Sequence, residues 1–191
     1  MTKNIKTVLG IAGFALLMFA AVFAYNALGD RIKPDSGIGT APGQSENSEK
    51  NTDKEKAPDF TVTDADGNSV RLSDMEGYPI VLNFWASWCP PCKLEMPDFE
   101  KVYRELGEEV QFMMVNLTDG QRETKGRAEA YISGEGHTFP VFFDTKQEGA
   151  PAYGIRSIPT TFFIDRDGYI VTGVQGALEE AALRQGIDMI R

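Results

Sequence analysis

The only two cysteines of this 191-residue chain, Cys89 and Cys92, are separated by Pro90 and Pro91. Two thiols at that spacing can exchange with a disulfide: one attacks as thiolate to form a mixed disulfide, and the other displaces the partner and closes an internal bond. Glu95 follows Cys92 by three residues. On a helix it would lie one turn along the same face, where a carboxylate can accept and return the proton that thiol chemistry moves. The bland alternative for Glu95 is an exposed helical glutamate. Rival chemistries lack parts. A zinc site needs two more ligands, and His137 is the single histidine. Set between Gly136 and Thr138, it reads as an exposed loop residue and not as the base of a Cys–His hydrolase. A purely structural bridge across two residues closes too small a loop to add much stability. No metal and no cofactor is expected.

These cysteines need an element to present them and one to activate them. Pro79 to Ala86 (PIVLNFWA) is a nearly continuous apolar run bounded by turn residues, as in a strand buried on both faces of a sheet. Pro90 and Pro91 suit the first turn of a helix, where a missing N–H costs nothing. Phe99, Val102, Tyr103 and Leu106 then recur with helical spacing up to Gly107, with a kink expected at Pro97. Cys89 would sit just before the first turn, facing unpaired N–H groups and the positive end of the helix dipole. Such positions bring a cysteine pKa from about 8.5 to roughly 3.5–7.5. Cys89 is therefore the expected attacking thiolate and Cys92, one turn inside, the resolving thiol. Trp88 is expected to wall an apolar groove beside the cysteines, and Trp85 to be core.

Around this unit, Phe60–Thr63 and Val70–Leu72 alternate about Asp66-Gly67-Asn68 as a hairpin, and Ser73-Asp74-Met75-Glu76 has capping-box spacing before Gly77. A strand is predicted at 110–117, a helix at 122–133, a short strand at 141–143 and a helical turn before Gly154. A hairpin at 160–164 and 169–174 and a last helix over 177–190 complete the reading. The order β-α-β-α-β-α-β-β-α implies a three-layer α/β domain with a mixed sheet.

Two segments precede this domain. Val8 to Leu28 holds no charge over 21 residues, long enough to cross a bilayer and longer than the apolar region of a cleavable signal, about 7–15 residues. Residues 1–29 are read as a signal anchor, single-pass in the lipid bilayer, with the C-terminal body on the extracytoplasmic side. Residues 30–56, rich in Gly, Ser, Asn, Pro and alternating charge, read as a flexible linker. Residues 57–191 carry 22 acidic and 12 basic side chains, a balance that disfavours nucleic acid and anionic lipid surfaces as partners.

LNFWASWCPPCKLEMP, followed some way on by SIPTTFFIDRDG, resembles the thioredoxin superfamily. The membrane-anchored TlpA/ResA-type thiol-disulfide oxidoreductases match best, over about Ala57 to Arg191. The resemblance implies a thioredoxin fold with an N-terminal β-hairpin and a central α-β insertion between Asp119 and Asp144. It also implies a cis Pro159 beside the disulfide, an Ile158 whose backbone pairs with substrate, and an acidic residue matching Glu95 in members of the reductase type. Many thioredoxins have a buried aspartate where this chain has Asn83, so Glu95 is expected to replace it as proton handler. The implied activity is reduction of protein disulfides, such as oxidised apocytochrome c or damaged extracytoplasmic proteins, with electrons from a membrane thiol-disulfide donor. A disulfide-donating oxidase and a non-catalytic peptide-docking domain are the alternatives. Ala86 stands where the Thr-x-x-Cys pattern of the related peroxiredoxins needs a threonine.

Overall fold

The structure, a computed structural model, describes residues 55–191. The expected signal anchor and all but the last two residues of the expected linker lie outside the described residues. Among the described residues no helix is long and apolar enough to cross a membrane. In chain order the elements are β1 (Glu55–Lys56), β2 (Thr61–Thr63), β3 (Ser69–Arg71), a 3-10 turn (Leu72–Met75), β4 (Ile80–Trp85), α1 (Pro90–Leu106), β5 (Gln111–Asn116), α2 (Lys125–Glu135), β6 (Val141–Phe143), α3 (Gly149–Ala152), β7 (Thr160–Ile164), β8 (Tyr169–Gln175) and α4 (Glu180–Asp188).

The eight strands form one mixed sheet in the order β1-β8-β7-β4-β5-β6-β2-β3. β4 runs parallel to β5 and antiparallel to β7, and every one of its six residues is buried. Its side chains alternate between two cores, as the pleat requires. Val81 and Trp85 meet Met96, Phe99 and Val102 of α1 and Leu183 and Ile187 of α4, whereas Leu82 and Phe84 meet Phe60, Val62 and Leu72. α1, α2 and α4 thus cover one face. Single-turn elements, the 3-10 turn and α3, serve the other. The thioredoxin fold, the N-terminal hairpin and the inserted α2-β6 unit are present as expected, and Trp85 is core.

Several boundaries moved for identifiable reasons. Glu55 and Lys56, assigned to the linker, pair with Ile170 and Tyr169 at the sheet edge. Ser73 and Glu76 do not form a capping box: the Arg71 N–H donates to Asp74 instead, and the Ser73 N–H and hydroxyl donate to Asp59. α2 begins at Lys125, not Arg122, because Asp119 accepts the N–H groups of Gln121 and Glu123 and holds 119–123 as a loop, leaving Thr124 as the cap. α4 begins at Glu180, not Ala177, because the N–H groups of Leu178 and Glu180 are given to Glu95 and Asp98 of α1.

Gly186 lets α4 lie close against the sheet, where a Cβ would overlap the ring of Phe163 on β7. Ala is favoured over Gly in a helix by about 1 kcal/mol, yet overpacking of this kind typically costs about 1–3 kcal/mol. Gly186→Ala is expected to lower the urea midpoint while leaving the alkylation rate of Cys89 unchanged; a raised midpoint would show that α4 can lift off the sheet.

Candidate active site

Cys89 is the N-cap of α1, in extended backbone conformation (φ −87°, ψ 110°), with Pro90 and Pro91 opening the helix. It forms a disulfide with Cys92, and the Cys92 N–H donates to Cys89 Sγ at 3.3 Å. A thiolate there would keep that donor and add the dipole of a helix of 17 residues. The reason is local. A strand that must stay buried ends at Trp85, and the proline pair then starts a helix with its free N–H groups turned toward the sulfur.

The opposite wall comes from the far end of the chain. The Ile158–Pro159 bond is cis, and the Ile158 carbonyl oxygen lies 3.6 Å from Cys89 Sγ. Between the walls is a cavity of about 420 Å³ lined by Trp88, Cys89, Pro90, Leu117 and Ile158 among others. Trp88 is 38% exposed, and the Arg122 guanidinium stacks 3.4 Å above its ring, a cation–π contact that steadies the wall. The structure therefore brings Trp88, Cys89, Pro90 and Ile158 to one surface. Pro159 is buried behind Ile158, and Cys92 and Glu95 lie on the inner side.

Glu95 is 1% exposed, so the exposed-glutamate alternative does not hold. Its Oε1 accepts from Asn83 Nδ2 at 2.8 Å and its Oε2 from the Leu178 N–H at 2.9 Å. Burial pushes its pKa up to about 7, against the lowering effect of these two donors. A carboxyl in that range can both take and give a proton near neutrality. His137 is half-buried rather than exposed, stacked on Phe139 with ring centroids 5.1 Å apart, and burial lowers its pKa.

Some site residues escaped the sequence reading. Glu123 is fully buried and accepts from the Ser87 N–H, the Ser87 hydroxyl and Asn116 Nδ2 at 2.7–2.9 Å. It ties the insertion to the loop that carries Trp88 and Cys89, while its neighbour Arg122 covers Trp88. The predicted helix start at Arg122 hid both; the cap signal at Thr124 could have exposed the preceding residues as a loop. Leu178 was likewise hidden inside a predicted helix.

Fold and site together define a thioredoxin-like thiol-disulfide oxidoreductase. The chain belongs to the AhpC/TSA family, whose family model matches residues 54–172. It is similar to the thioredoxin-like protein YneN of Bacillus subtilis, with 30% identity over 179 residues that cover 94% of this chain and 96% of the relative. It is also similar to the thiol-disulfide oxidoreductase ResA of Halalkalibacterium halodurans, 35% identical over 138 residues, 72% of this chain and 76% of the relative. Among solved structures, the exposed lipoprotein thioredoxin Etrx1 of Streptococcus pneumoniae superposes with a TM-score of 0.61 at 32% identity, covering 68% of this chain and 98% of that one.

The buried Glu95 makes stability fall with pH. Unfolded, it loses its proton near 4.5; folded, it keeps the proton to about 7. Between these values the folded state binds more protons, so this contribution is present below about 4.5 and lost as pH rises through about 7. The loss is on the order of 3 kcal/mol. Urea titrations from pH 4 to 8 should show Glu95→Gln lacking this downward component; parallel curves for the two proteins would contradict the assignment.

Proposed function

We propose that this protein is a membrane-tethered reductase of extracytoplasmic protein disulfides, with Cys89 as the attacking thiolate and Cys92 as the resolving thiol. The observation that carries the reading is Cys89 itself: a helix N-cap, opening onto an apolar groove, opposite the Ile158 carbonyl. Substrate lies in the groove against Trp88 and Pro90, its backbone alongside Ile158 as an added strand.

The steps follow from the geometry. The Cys89 thiolate, held by the Cys92 N–H and the helix N-terminus, attacks one sulfur of the substrate disulfide. The first substrate thiolate leaves and takes up a proton, and Cys89 is bonded to the second. Cys92 then passes its proton to the Glu95 carboxylate and attacks Cys89 Sγ, releasing the second substrate thiolate. Two electrons have moved to the substrate, and the protein holds the internal disulfide described above. Glu95 gives up its proton, and a membrane thiol-disulfide donor restores the dithiol.

Reduction is favoured because Pro90 and Pro91 place no positive charge between the cysteines to stabilise the thiolate further, as a strong oxidant needs. The uncharged segment 8–28 supports the tether, and an exposed lipoprotein among the structural relatives supports the compartment. Oxidised apocytochrome c before haem attachment and other damaged extracytoplasmic proteins are the substrate classes.

Cys92→Ser should trap substrate on Cys89 as a mixed disulfide in cells, and Cys89→Ser should trap none; the reverse pattern would exchange the two roles. The potential of the couple gives the direction: a value well below about −200 mV supports reduction, and one near −120 mV makes the protein an oxidase. For the proton, the pH dependence of thiol alkylation in Glu95→Gln should lose the inflection near 7; an unchanged profile would remove Glu95 from the mechanism.

A further inference from the structure

Asn83 is the one polar residue of β4, in mid-strand and fully buried. A valine or leucine there would continue the pattern of its neighbours. The amide instead spends both N–H groups on specific partners: Glu95 Oε1 at 2.8 Å and Thr161 Oγ1 at 3.0 Å, Thr161 being the residue directly opposite on β7. Its carbonyl oxygen Oδ1 is buried without a partner. This orientation is informative. Turned over, the amide would set Oδ1 against Glu95 Oε1, an arrangement that only a protonated Glu95 could satisfy. As oriented, the amide donates to Glu95 and so favours its ionised form against the effect of burial.

We propose that Asn83 is a positioning residue for the thiol chemistry: clamped between Thr161 and Glu95, its amide fixes where the Glu95 carboxylate sits and how readily it takes the proton of Cys92. This rests on the role of Glu95 proposed above and goes beyond it by assigning the control of that role to β4 and β7. The groups facing Glu95 are few. Those bonded to it are Asn83 on β4, itself held by Thr161 on β7, and the Leu178 N–H from the loop before α4, while Cys92 and Asp98 stand three residues to either side of it on α1. Asp98 is occupied by the Glu180 N–H, and Glu180 by Lys101 and Arg184. Among the described residues no charged side chain bonds Glu95, so removing the amide leaves one backbone donor to oppose burial. The substitution of amide for acid at position 83 also has a chemical sense. An aspartate at this distance from Glu95 would put two carboxyl groups in contact and make them share one proton.

The test uses the full chain in detergent and follows, from pH 5 to 9, the rate at which a Cys89–glutathione mixed disulfide resolves. Asn83→Leu, and Asn83→Ser as the smaller change that keeps a polar group, should move the midpoint near 7 upward by about one pH unit, the size expected for losing one charge-assisted hydrogen bond. The infrared carboxyl band of Glu95 should persist to correspondingly higher pH. In a Glu95→Gln background neither substitution should move the profile. An unmoved midpoint in the Glu95-containing protein overturns the inference while the role of Glu95 stands. An equal shift in the Glu95→Gln background overturns it by showing that Asn83 acts elsewhere. If Glu95→Gln alone leaves the profile unchanged, it is the Glu95 reading that fails, and the inference with it.

Discussion

A carboxyl group buried at the meeting of a strand, a helix and a loop is the constraint on which this structure turns. Glu95 belongs to α1, but its two oxygens are held by Asn83 of β4 and by the backbone of Leu178 ahead of α4. Taking such a group out of water is unfavourable, and the two donors offset only part of that, which is why its proton affinity rises. The same bonds fix how α1 lies across β4 and delay the start of α4. Because Cys89 caps α1, the position of Glu95 along this helix also sets where the sulfurs stand relative to the sheet.

The pattern recurs away from the cysteines. The domain is strongly acidic, a balance that by itself suggests a solvated surface of charge. Several of its carboxylates are instead internal ties that satisfy backbone N–H groups where loops must be held. Glu100 accepts from Thr138 and Phe139, Glu123 from Ser87, and Asp144 from Glu148, Gly149 and Ala150. Each converts a loop end with unpaired donors into a fixed joint. Glu123 binds the inserted segment to the loop bearing Trp88 and Cys89. Arg122 beside it closes over the tryptophan. The insertion is thus built into the groove as well as into the sheet.

The two walls of that groove come from distant parts of the chain and are related only through the sheet. β4 delivers Cys89 on one side. β7, its antiparallel neighbour, begins at Thr160 immediately after the cis proline and delivers Ile158 on the other. Antiparallel pairing across Phe84 and Thr160 sets the start of β7 beside the end of β4, so Cys89 and the Ile158 carbonyl are brought together by strand register.

Much of this was legible in residue order because it depends on near neighbours. The buried strand at 80–85, the proline-started helix, the N-cap position of Cys89 and the hairpin about Asp167-Gly168 follow from period, turn chemistry and capping, which act over a few residues. Tertiary structure alone decided what depends on partners far along the chain. It buried Glu95 where spacing left exposure open, gave Asn83 its two acceptors, and half-buried His137 against Phe139. It also drew Glu123 inward from within a predicted helix, and took Leu178 out of another to satisfy an acid 83 residues away. A local pattern can say that a carboxylate is present; which donors surround it, and hence whether it is a solvated charge or a buried group that holds its proton toward neutrality, is settled only when the sheet brings distant segments into contact.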